Sequence, residues 1–379
     1  MMQIPCQRSR FSLPREITYF NCAYLSPLLD RVQEAGTRGL MAKSTPWAVK
    51  PHHFFEESDY LRSLIARILG GDAGGVAIIP SVSYGIGIAA ANLPIPQGKK
   101  VLVLAEQFPS NVYPWHEATR RCGGEMVTVA RPQDGDWTKA VLAGLTEDIA
   151  VAALPHCHWT DGSLLDLEVI GARCRSLAVP LVLDVTQSLG AMPFPLEKIK
   201  PAFVVAAGYK WLLGPYSMAY LYVAPEYRQG RPLEYNWISR KESHRFSRLV
   251  DYTEEMAPGA QRFDVGERSN FILVPMAIAA LSTILEWTVP NIAATLSAYN
   301  EALIQGAERL GFQPIAKPFR SPHLLGLRYP GKLPENLGEQ LAEKNIFVSI
   351  RGDAIRVSPH LYNDEQDTHE FLATLGHFL

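Results

Sequence analysis

A chain of 379 residues, 47% hydrophobic and 20% charged with a net charge of −2, holds material for one large domain or two with ample core. Near-neutral charge without a basic run excludes the electrostatic footprint of a nucleic-acid or membrane-surface protein. Five cysteines at irregular spacing suit a reducing cytosol better than a disulfide framework.

The opening MMQIPCQRSRFSLPRE has no apolar segment of signal-peptide length, so a cytoplasmic protein is expected. Residues 1–30 read as an N-terminal arm, residues 31–270 as a large domain, and 271–379 as a linking helix plus a small C-terminal α+β domain. Tyr60 to Leu69 is an amphipathic helix with Leu61, Leu64, Ile65, Ile68 and Leu69 on one face. Strands are expected at Val76–Ile79, Val101–Leu104, Met126–Val129, Ala150–Leu154, Leu181–Asp184, Phe203–Ala206 and Met218–Val223. Helical patterns between them predict an α/β fold: a mostly parallel sheet of seven strands with helices on both faces. The last strand follows a short turn and should be antiparallel. The apolar stretches Val76–Leu93 and Phe271–Trp287 are interrupted by Pro and Ser and read as core, not membrane spans. Beyond a break at Pro290 the pattern predicts a helix at Asn300–Leu310, a strand at Leu324–Arg328 and a helix at Asn336–Lys344. Strands at Phe347–Arg351 and Ala354–Ser358 follow, then a final helix capped by Asn363 with Gln366.

Two strands carry the chemistry. Leu181 to Leu183 is an apolar run that stops on Asp184, and Phe203 to Ala207 stops on Gly208-Tyr209-Lys210. Strands this apolar are buried on both faces, and charges at their carboxyl ends point into the crevice where open α/β sheets bind ligands. Alone, Asp184 reads more readily as a helix cap and Lys210 as a surface lysine. Together they form the pair that pyridoxal phosphate (PLP) requires: a lysine for the Schiff base, and a carboxylate that keeps the pyridine nitrogen protonated. Gln187, one turn past Asp184, is placed to reach the phenolate oxygen of the same ring.

With DVTQ (residues 184–187) before the lysine and KWLLGP (residues 210–215) from it, the chain resembles the class V aminotransferases. This PLP fold-type I group includes cysteine desulfurases, kynureninases and isopenicillin N epimerase-like proteins. The resemblance runs from about Tyr19 to the C-terminus. It implies a phosphate turn at Ser81-Val82-Ser83-Tyr84, where Ser83 matches a family threonine and Val82 offers only backbone; a helix N-terminus is a ready phosphate site. It implies that Phe108, in Phe108-Pro109-Ser110-Asn111, stacks on the pyridine ring as in kynureninases, and that Tyr209 takes the phosphate. Arg356, in a shared Arg-x-Ser-x-x-x-Tyr-Asn pattern, would grip the substrate α-carboxylate bidentately, with Arg351 as a second candidate. Tyr24 in the arm and His158 at a strand end would line the substrate pocket; alternation puts His156 on the same face as His158. Residues 262–270 resemble a segment contributed by a second subunit, implying a homodimer.

Other readings are weighed against this one. Gly85-x-Gly87-x-x-Ala90 with Glu106 imitates a dinucleotide fingerprint and would make the chain an NAD-dependent dehydrogenase, but its first glycine falls well past the strand end. His156, Cys157 and His158 lack a second cluster with zinc-like spacing, so no metal is expected. No cysteine follows Cys174, which argues against a persulfide-forming desulfurase. The resemblance therefore implies a PLP-dependent aminotransferase of a small amino acid. A lyase (β-eliminating or kynureninase-like), an epimerase and a non-enzymatic PLP-binding regulator are the alternatives.

Overall fold

The computed structural model describes residues 2–378. The N-terminal arm contains a short strand, β1 (Thr18–Tyr19), followed by helices α1 (Asp30–Ala42) and α2 (Glu56–Leu69). Helix α2 starts one turn before the expected Tyr60, because Glu56, Glu57 and Asp59 complement the positive helix end. It stops at Gly70, whose φ of 73° suits glycine.

The expected strand–helix alternation then follows. In chain order it comprises β2 (Val76–Ile79), α3 (Val82–Asn92), β3 (Lys100–Leu104), α4 (Tyr113–Cys122), β4 (Glu125–Val129) and α5 (Trp137–Gly144). It continues with β5 (Ile149–Pro155), α6 (Leu167–Ser176), β6 (Leu181–Asp184), α7 (Leu196–Ile199), β7 (Phe203–Ala207) and β8 (Ala219–Val223). The sheet has seven strands in the order β2-β8-β7-β6-β5-β3-β4. Strand β8 is antiparallel to β2 and β7, and every other pairing is parallel. Successive side chains feed different cores. Ile78, Leu102, Leu154, Leu183 and Val204 pack on one face, and Ala77, Val101, Ala153, Val182 and Val205 on the other. This is the doubly covered sheet that apolar runs demand.

Helices α8 (Leu273–Trp287) and α9 (Val289–Arg309) lead away with a 73° bend between them. The break falls at Thr288, with φ 62°, rather than at Pro290, and α9 extends eleven residues before the expected Asn300. Pro290 sits in the first turn of α9, where a missing N–H is harmless. No single helix among the described residues is long and apolar enough to cross a membrane. Strands β9 (Gln313–Pro314) and β10 (Leu325–Arg328), helix α10 (Leu337–Ala342), strands β11 (Ile346–Phe347), β12 (Ser349–Arg351) and β13 (Ala354–Val357), and helix α11 (Glu365–Gly376) complete the chain.

Two expectations are corrected here. The strand expected at Phe347–Arg351 is two: β11 pairs in parallel with β1, and β12 joins the antiparallel sheet β12-β13-β10-β9. The cap of α11 is Asp364 with Asp367, one residue beyond Asn363 and Gln366. Asn363 instead turns back, accepting the N–H of His360 and donating to Asp367. A separate core gathers Phe20 of the arm with Leu303, Phe312, Leu325, Ile355 and Phe371. The arm is thus stitched to the C-terminal part of the chain through β1 and Phe20.

Candidate active site

Strands β6 and β7 pair in parallel, Asp184 opposite Val205, so their carboxyl ends open side by side. Asp184 closes β6. Beyond β7 the chain turns at Gly208, where a Cβ would lie 2.8 Å from the Met218 carbonyl. The turn is closed by Gly208 donating to Met218 and Gly214 to Gly208, each at 2.8 Å. It brings Lys210 back into the crevice, where it is only 6% exposed.

Burial pushes the Lys210 ammonium down to about 8; Asp184 opposes that shift, and Arg356 and Arg351 add to it. Burial raises Asp184 in turn, offset by Thr186 and by the charge of Lys210. The Asp184 carboxylate accepts the Thr186 N–H at 3.0 Å, and the Thr186 hydroxyl accepts the N–H of Ala207. Thr186 therefore ties the two strand ends together. Sequence reasoning passed over it, although a threonine two residues after a strand-end Asp is a recognisable turn signal.

Asp184 and Lys210 line a cavity of about 290 Å³ together with Val82, Ser83, Phe108, Gln187 and Tyr209. Lys210 Nζ lies 5.3 Å from the Phe108 ring centroid and 5.6 Å from that of Tyr209. Helix α3 points its N-terminus at the same space. Ser81 caps it by accepting from the N–H of Tyr84, and the Ser81 and Ser83 hydroxyls are 3.0 Å apart. The Gln187 amide donates to the Ala23 carbonyl and accepts from Trp211 Nε1, with one amide N–H still free. Ser26 donates its backbone N–H to the Tyr209 carbonyl, so the arm braces both Gln187 and the residue beside the lysine.

Other expected residues lie elsewhere. Alternation along residues 155–159 holds, but with the opposite face inward: Pro155, Cys157 and Trp159 line the cavity. His158 is fully buried, stacked on Trp137 and bonded to Thr160 and the Ala105 carbonyl; His156 bonds Ser188. Neither histidine reaches the site, and burial pushes both down. Tyr24 is 58% exposed and outside the lining, though near Tyr209. Arg356 and Arg351 are not part of the cavity lining; their guanidinium carbons lie 5.9 and 5.5 Å from the ring of Trp159. Trp159, missed as a site residue, lines the cavity and contacts both these arginines and Phe108, which it meets edge-on at 5.4 Å.

The dinucleotide alternative fails on geometry. Gly85 and Gly87 lie inside α3, and Gly85 serves close packing on Val205 and Ile79. No group of histidine, cysteine or acidic side chains among the described residues could hold a metal ion. Pyridoxal phosphate does fit: a buried lysine, a desolvated carboxylate with no ion pair among the described residues, a flat ring and a helix N-terminus face one cavity.

Comparison with known proteins agrees. The family model described as aminotransferase class-V matches residues 50–368. An uncharacterized aminotransferase, YcbU of Bacillus subtilis (strain 168), is 26% identical over 330 residues, 86% of this chain and 84% of that protein. A kynureninase of Shouchella clausii (strain KSM-K16) is 26% identical over 276 residues, 71% of this chain and 62% of the enzyme. Among solved structures, a variant of C-DES with glycine covalently linked to its PLP cofactor superposes with a TM-score of 0.88 at 21% identity, covering 98% of this chain and 100% of that one. The apo cysteine desulfurase of Thermococcus onnurineus NA1 superposes at 0.85 and 16% identity over 100% and 99% of the two chains. The fold is PLP fold type I, and the chain belongs to the class-V aminotransferases, a pyridoxal phosphate-dependent family.

Proposed function

We propose that this protein is an aminotransferase of small amino acids in which Lys210 carries the cofactor. The observation that supports it is a buried amine and a buried carboxylate facing one cavity from adjacent parallel strands. Bound pyridoxal phosphate would supply an electron sink for charge formed at the substrate α-carbon. Lys210 Nζ would anchor the group and move the substrate α-proton; an amine held near 8 by burial suits that task. The Asp184 carboxylate would hold the ring-nitrogen proton. Phe108 would set the ring plane, and Gln187 would offer its free N–H to the phenolate oxygen. Ser83, the Val82 backbone N–H and the Tyr209 hydroxyl would hold the phosphate at the end of α3. Arg356 takes the α-carboxylate, and Tyr24 borders the mouth.

A lyase is the second reading, supported by relatives named kynureninase. A persulfide on a cysteine of this chain is disfavoured. Cys157 lines the cavity, but it is 2% exposed and burial pushes its thiol up to about 12. Product analysis with a panel of amino acids separates the two. One keto acid per amino acid, requiring a keto-acid acceptor, supports transamination; ammonia released without an acceptor overturns it in favour of the lyase.

A homodimer is part of this reading. Leu233, Tyr235, Trp237, Val250 and Tyr252 are all exposed within residues 233–252, surface that a second copy of the chain would cover. Light scattering tests it, and a monomeric mass removes it.

A further inference from the structure

Arg351 and Arg356 are two cations in one place without an anion. Both rest against the ring of Trp159, which lines the cavity. Arg356 is 1% exposed, yet only two of its five N–H groups have partners: one Nη1–H donates to the Trp159 carbonyl at 2.9 Å and one Nη2–H to the Ser349 hydroxyl at 3.2 Å. Its buried Nε has none. Arg351 donates only to the Ile350 carbonyl, and its Nε is likewise buried and unpartnered. Neither arginine forms an ion pair among the described residues. Their neighbours behave differently: Arg328, on adjacent β10, is paired with both Asp161 and Asp353. The hairpin β12–β13 holds the two cations together, Arg351 opposite Ala354 and Arg356 opposite Ser349.

A single carboxylate on Arg356 leaves half-buried Arg351 without a counter-charge and its buried Nε without an acceptor. Two anionic groups satisfy both. We propose that the substrate is a dianionic amino acid, with its α-carboxylate on Arg356 and a side-chain carboxylate on Arg351, the indole of Trp159 flanking both guanidinium groups at the cavity edge. This rests on the reading above that Arg356 receives the α-carboxylate, and deepens it to acidic amino acids.

The test is calorimetric titration of the PLP-loaded protein with carboxylates that lack an amino group and cannot react. Succinate or glutarate should bind at least about 10-fold more tightly than butyrate, the value of one charge-assisted hydrogen-bonded contact. Arg351→Gln should bring the dicarboxylates down to the butyrate level while butyrate changes less than about two-fold. Arg356→Gln should weaken all three. Equal affinity for dicarboxylates and butyrate overturns the proposal. So does an Arg351→Gln protein that loses butyrate and succinate alike, which would place both guanidiniums on one carboxylate. The visible absorbance of bound PLP, read on the same sample beforehand, reports separately on the cofactor reading, so its failure is not confused with that of the substrate proposal.

Discussion

The Lys210 ammonium sits 5.3 Å over the centre of the Phe108 ring, inside a crevice built at the carboxyl edge of the sheet by loops far apart in sequence. The ring belongs to the loop after β3, the amine to the loop after β7, and β5 and β6 separate those strands. On the proposed reading, a flat group bound at Lys210 would stack on Phe108. Phe108→Ala should weaken PLP binding by about 2–10-fold, the equivalent of one stacking contact of roughly 0.5–1.5 kcal/mol. Reconstitution of the apoprotein at graded PLP concentration measures it; an unchanged affinity would show that the ring does not stack.

The depressed Lys210 value predicts a pH profile. Only the neutral amine attacks the cofactor aldehyde, and burial lowers the amine from its ordinary 10.5 to about 8. The rate of PLP incorporation should rise with pH and level off above about 8. A profile still climbing at pH 10 would mark a solvent-exposed lysine. Lys210→Ala should abolish the borohydride-fixed label altogether.

Asp184→Ala should retain cofactor and lose turnover by at least about 100-fold, because an electron sink without its proton is a poor one. Steady-state kinetics beside cofactor content checks this. Unchanged kinetics would remove the residue from its assigned role.

The turn that carries Trp159 depends on Gly162. Its φ is +80°, and a Cβ there would be driven into the Leu324 carbonyl. The neighbouring Asp161 is fully buried and accepts from Arg131 at 2.5 Å and Arg328 at 2.9 Å, tying the turn to β10. Gly162→Ala should cost about 2–4 kcal/mol, combining the left-handed backbone with overpacking. A thermal melt should show a loss of several degrees, and KM should rise more than kcat falls, because Trp159 and Arg356 shift together. A melt identical to that of the parent would show that the turn has room to adjust.

The buried carboxylate of Asp264 binds Arg62, Arg268 and the N–H of Ile78, anchoring residues 259–268 to β2. Asp264→Ala leaves Arg268 without a counter-charge and Arg62 with only Asp59, and should destabilise the protein by about 3–5 kcal/mol. Chemical denaturation measures it, and a loss below about 1 kcal/mol would mean the arginines find water instead.

Much of this site was legible without coordinates. A strand covered on both faces must be apolar throughout, so a charge where the run stops stands out; Asp184, Lys210 and the seven strands followed from that one constraint. Covering both faces also removes information. With no polar face to contrast, alternation established that residues 156 and 158 share a side but not that Cys157 and Trp159 face the crevice. Only packing of His158 against Trp137 settled it. The same limit hid the arm, because Ser26–Tyr209 is a backbone–backbone contact and Gln187 donates to the backbone carbonyl of Ala23, each across more than 160 residues, so the identities of the arm residues do not announce them. The arginines divide the same way. Their identity told of an anion, while their lack of a partner exists only once every acid in the chain has its place. Local periodicity determined the elements and the reactive pair; the neighbours that tune them were decided by tertiary structure, since burial and charge pairing are properties of the assembled core.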